Sequence, residues 1–65
     1  MKKEVIVGLK SAQALIICEA VDYLQASENE DDESKSAAYY HIYEGLLKAV
    51  TKIQERIEEI RKEGL

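Results

Sequence analysis

The sequence predicts an all-α protein, an antiparallel helical hairpin that dimerises into a four-helix bundle. Three observations lead there. The chain of 65 residues contains no proline and only three glycines, and it is rich in Ala, Leu, Ile, Glu and Lys, which are mostly good helix formers. Two long stretches repeat apolar residues at the helical period. A short acidic segment without a large apolar side chain separates them.

The first helix is expected over about residues 3–26. At roughly 100° per residue, Val5, Leu9, Ala12, Ile16, Ala20 and Tyr23 form one line, with Ile6, Ile17, Val21 and Leu24 beside it. The apolar arc spans about half the circumference, more than one neighbouring helix can cover. In a hairpin the second helix covers one side of that arc, and a second hairpin is needed for the other.

The turn is expected over about residues 27–33, a length usual between antiparallel helices. Ser27 and Glu30 fit a capping box, which would let the second helix begin as early as residue 28. Acids in a first helical turn also complement the helix dipole. Residues 28–33 hold five acids and no base, so the net charge of −4 arises in the turn and the two helices are close to neutral.

The second helix, expected over about residues 34–63, carries the strongest pattern in the chain. Tyr39, Tyr43, Leu46, Val50, Ile53, Ile57 and Ile60 are spaced alternately by four and three residues. That is a heptad seam with Tyr43, Val50 and Ile57 at a. Tyr40, Ile42, Leu47 and Ala49 broaden its N-terminal half, as a bundle requires. His41, Lys48, Lys52, Glu55, Glu59 and Lys62 form the opposite, solvated face.

A single domain over residues 1–65 follows from the length. A domain this small is marginal without disulfides, a metal or oligomerisation. One cysteine, Cys18, excludes an internal disulfide, and one histidine, His41, disfavours a zinc site. Self-association remains, with Leu9, Ile16, Tyr39, Tyr43, Leu46, Val50, Ile53, Ile57 and Ile60 as the expected residues. No apolar run approaches the ~20 residues that span a bilayer. Glu4, Lys10 and the missing small-residue cleavage site argue against a signal peptide. A cytoplasmic location is the resulting expectation, with Cys18 reduced.

The chemistry-bearing residues do not assemble into a recognisable reaction centre. His41 and Glu44 stand three apart, but in the reverse order of the Glu-x-x-His pair of di-iron bundles, and they point away from the seam. The acidic turn lacks the central glycine and alternating acids of a calcium loop. Cys18 has no histidine nearby in sequence and is read as a small filler on the polar side of helix 1. Gly45, with Ala38 and Ala49 on one flank of helix 2, permits a close helix approach. No catalytic residue, metal ligand or cofactor is therefore assigned.

The function expected is that of a small non-enzymatic, oligomeric regulator or inhibitor that binds a larger protein. Anti-repressors and phage-type blockers of host or defence proteins are of this kind. The candidate partner contacts are Leu15, Tyr40, His41 and Leu47, because Tyr joins large contact area to a polar tip, and the turn acids Glu30, Asp31, Asp32 and Glu33. RNA binding by a dimeric bundle is the alternative. It is disfavoured because Glu55, Glu59 and Glu63 alternate with Lys48, Lys52, Arg56 and Lys62, leaving no basic face. Mimicry of nucleic acid would spread acids along a face rather than gather them in one turn. A metal-binding bundle is the last alternative.

Overall fold

The computed structural model describes residues 1–63; positions 64 and 65 of the expected domain lie outside the described residues. The chain is all-helical, and its two helices, α1 (Lys2–Asn29) and α2 (Glu33–Lys62), pack antiparallel against each other. At about 1.5 Å per residue, helices of 28 and 30 residues make a rod one helix thick, and the Cα extents are 50 × 15 × 10 Å. The radius of gyration is 15.1 Å, against about 11 Å for a compact domain of this length. The hairpin thus has a seam and almost no interior.

The turn is shorter than the sequence predicts. Ser27, Glu28 and Asn29 continue α1, and only Glu30, Asp31 and Asp32 connect the helices. The capping box from Ser27 does not form. Asp32 caps α2 instead, its Oδ1 accepting from Lys35 N at 3.0 Å, while its carbonyl accepts from Ser36 N at 2.9 Å. Glu30 closes the connection, its Oε1 accepting from Asp32 N at 3.1 Å.

Ser27 is drawn away from capping because it is buried in the seam. Its hydroxyl donates to the Ser36 carbonyl at 2.8 Å, and the Ser36 hydroxyl donates to the Ser27 carbonyl at 2.7 Å. This reciprocal pair satisfies polar groups that would otherwise be buried at a cost, and it lets the two helices approach closely beside the turn. Midway along, Gln13 Nε2 donates to the Val50 carbonyl and to Gln54 Oε1, both at 3.1 Å. These contacts set the register: Ser27 lies level with Ser36, and Gln13 with Val50.

The apolar core sits at the open end. Ile6, Ile57 and Ile60 form the buried cluster, with Leu9 and Ile53 packed on it. Ile57 is wholly enclosed. Lys2 Nζ closes this end by donating to the Glu63 carbonyl at 2.7 Å, a cation placed where the α2 dipole favours one. The seam of α1 runs through Ile6, Leu9, Gln13, Ile16, Ala20, Tyr23 and Ser27. It is rotated from the line expected through Val5 and Ala12. Val5 is half exposed, because a seam through Ile6 buries the larger side chain opposite Ile57 and Ile60. At the other end the Tyr23 and Tyr39 rings meet with centroids 6.2 Å apart.

Two substitutions test this seam. Ile57→Ala should lower the free energy of unfolding by about 2–5 kcal/mol, whereas Val7→Ala on the exposed surface should stay within about 0.5 kcal/mol. Urea titrations followed by circular dichroism measure both, and equal losses would refute the placement. Asp32→Ala should cost about 1 kcal/mol as a lost N-cap. Ser27→Ala should cost a similar ~1 kcal/mol, through its buried hydrogen bonds rather than through capping.

Candidate functional site

The residues expected at a self-association seam are placed between α1 and α2 of the same chain. Ile57 and Ile60 are buried, and Leu9 and Ile53 pack beside them. Ile16, Tyr39, Tyr43, Leu46 and Val50 are half-buried. A different set of apolar residues stays uncovered: Val5, Val7, Leu15, Ile17, Val21, Tyr40, Ile42 and Leu47.

The Gln13–Gln54 contact decides how those uncovered residues are grouped. It places the Gln13 flank of α1 and the Gln54 flank of α2 on one broad side of the hairpin. Followed at about 100° per residue, that side carries Ile17, Val21 and Leu24 from α1, and Tyr40 and Leu47 from α2. In the register set by Ser27–Ser36 and Gln13–Val50, these five occupy one stretch of the rod. Ile17, Val21, Tyr40 and Leu47 are each 37–44% exposed, as flank positions bordering a seam should be. The Tyr40 ring leans on Tyr43, with centroids 5.4 Å apart.

The opposite broad side is marked by a shallow depression lined by Met1, Lys2, Val5, Arg56, Ile60 and Glu63. Its large exposed apolar residues are Val5, Leu15 and Ile42. In the hairpin register Val5 and Ile42 lie about sixteen residues apart, roughly 24 Å along the axis, with Leu15 between them toward the outer edge of α1. Gly45 faces open space on this side, so the close approach it permits is not used within the chain.

The expected partner contacts are not brought together. Tyr40 and Leu47 share the first broad side. Leu15 lies on the opposite broad side, toward the outer edge of α1, and is 72% exposed. His41 lies on the outer edge of α2, its Nδ1 3.5 Å from Glu44 Oε1, with both side chains exposed. Of the turn acids, Glu30 and Asp32 accept backbone hydrogen bonds, while Asp31 and Glu33 are exposed. Two residues that position the hairpin, Gln13 and Ser27, escape an apolar count because both are polar. Their signal is the heptad spacing itself, which runs through them without a break.

The reading of Cys18 as filler is corrected: the thiol is free and exposed. It sits on the outer edge of α1, where no second helix packs. Among the described residues no group of three or more His, Cys, Asp or Glu side chains is placed to hold a metal ion. Among them, too, no helix is long and apolar enough to cross a membrane. The exposed ion pair Lys52–Glu55 at 3.4 Å is of a kind that adds little stability.

The placement of Cys18 is checked by thiol titration. One thiol per chain should react with an aromatic disulfide in native buffer, at a rate close to that of the urea-unfolded chain. A strongly retarded native reaction would place the outer edge of α1 inside a contact.

Compared with known protein families, curated proteins and solved structures, the chain matches none.

Proposed function

We propose that this chain is a non-enzymatic protein-binding regulator that works as a homodimer, two hairpins forming a four-helix bundle. The observation that carries this reading is the uncovered apolar surface. Among the described residues four hydrophobic ones are buried, and one of them is Ala20. Eight larger ones past the N-terminal Met1 remain exposed. The accessible surface is 4888 Å², against about 4200 Å² for a compact protein of 7.4 kDa. The excess of roughly 700 Å² is close to the ~800 Å² that each partner contributes to a standard interface.

A protein-binding role is supported by what the helices spend their residues on. Most apolar positions build the seam or the surfaces beside it. The surfaces left for a larger partner are the outer edges, where Leu15 and His41 project, and the acids Asp31 and Glu33 at the tip. The charge pattern gives RNA no basic face to bind.

Two measurements test this. Light scattering after gel filtration, over a dilution series, should give a mass of twice the chain that holds on dilution. A folded monomer would end the dimer reading. Affinity capture with the intact chain should recover one specific protein that a Leu15→Glu variant fails to recover. Capture that Leu15→Glu leaves intact would move the contact elsewhere. Repeated recovery of nothing specific would remove the regulator reading.

A further inference from the structure

The broad side that carries Ile17, Val21, Leu24, Tyr40 and Leu47 has an internal symmetry. On α1 this side is a stripe of Lys10, Ala14, Ile17, Val21, Leu24 and Glu28, spaced 4, 3, 4, 3, 4. It is a second heptad line, shifted by one residue from the seam. Its presence accounts for the apolar residues of α1 being spread around the helix more evenly than those of α2. The stripe is symmetric about position 19. Run antiparallel against itself, it sets Ile17 against Val21, Ala14 against Leu24, and Lys10 against Glu28.

The second helix shares the axis. In the hairpin register position 19 lies level with position 44. Tyr40 and Leu47 flank position 44 by four and three residues, so the same two-fold rotation brings Tyr40 of one hairpin to Leu47 of another.

We propose that a second copy of this chain covers this side in antiparallel orientation. Helix α1 then lies on α1, α2 lies on α2, and the two acidic turns sit at opposite ends. The inference rests on the dimer reading above and adds its face and its topology. Charge decides the orientation. Residues 28–33 carry five acids and no base, so a dimer with its turns together would gather ten carboxylates at one end. The antiparallel arrangement instead carries each turn toward the half of the other copy that holds Lys2, Lys3 and Lys10.

Charge also decides the register. Glu28 occupies the last turn of α1, where the helix dipole disfavours an anion and no basic side chain stands. Among the described residues neither Lys10 nor Glu28 forms an ion pair within its own chain. The two-fold about position 19 pairs each with the other at both ends of the apolar stripe. Interhelical distances of about 8–10 Å in such bundles are within reach of a Lys–Glu pair. The opposite broad side offers no comparable repeat, since its line on α1 runs Val5, Gly8, Ala12, Leu15, Glu19 and Asp22, with acids where the first side carries Val21 and Leu24.

Cysteine cross-linking tests this on the full chain. In a Cys18→Ser background, Lys10→Cys and Glu28→Cys proteins are made separately, then mixed in denaturant, refolded together and mildly oxidised. The mixture should give a covalent dimer, and either protein alone should give only traces. Linking of each variant to itself, with none gained on mixing, would overturn the orientation. No linking in any sample, with the solution mass still twice the chain, would overturn the face and leave the dimer reading standing. A monomeric mass for the parent chain would remove both.

A second readout uses charge. Ile17→Glu should halve the solution mass or leave the chain unfolded, whereas Ile42→Glu on the opposite side should keep the dimer. Retention of the dimer by Ile17→Glu would overturn the assignment.

Discussion

The antiparallel seam is pinned at three levels, and every other feature of the hairpin follows from where those pins lie. The two seryl hydroxyls hold the helices together beside the turn. Gln13 ties α1 to the backbone of α2 at mid-length. Ile57 closes the open end within a cluster of isoleucines. Together they fix which residue is level with which, and so which flanks share a broad side. A slip of one helical turn would separate Ser27 from Ser36 and bury both without partners, at a cost of order 1–3 kcal/mol for each orphaned group. In a hairpin with so few enclosed apolar residues, polar contacts of this size are comparable to the margin of stability.

The division of labour between polar and apolar seam positions explains what could be read in the sequence. The all-helical class and the pairing of two helices were legible from composition and period. The seam of α2 was legible residue by residue from Tyr39 to Ile60. The seam of α1 was not, because two of its seven positions are Gln13 and Ser27. An apolar count skips both and drifts to the neighbouring line through Val5 and Ala12. The turn misled for a related reason. Ser, Asn, Asp and Glu serve equally well as the last turn of one helix and the cap of the next. Packing of Ser27 against Ser36 settled which role each residue took. Cys18 was placed correctly on the polar side of α1, but a polar side of a two-helix hairpin has nothing to fill.

The candidate surfaces were harder to read than the fold, because grouping depends on register between helices and not on period within one. Tyr40 and Leu47 stand out in the sequence of α2 alone. Nothing in that sequence shows that Ile17, Val21 and Leu24 stand beside them. That follows only from a single side-chain contact between Gln13 and Gln54, which identifies the shared flanks. Leu15 is grouped with Tyr40 among the candidate contacts, yet it lies on the other broad side of the hairpin.

The acidic turn combines two roles that pull in different directions. Glu30 and Asp32 are consumed in making a three-residue connection without glycine, one accepting from Asp32 N and the other capping α2. The remaining acids are surplus to that geometry and repel one another at the tip. Concentrating negative charge at one end of a rod makes the two ends electrostatically unlike. Two such rods lying side by side favour the antiparallel arrangement, as two dipoles do. The turn that closes the hairpin thereby also biases how a second hairpin approaches it. In the proposed antiparallel pair the acidic tips would point outward at opposite ends.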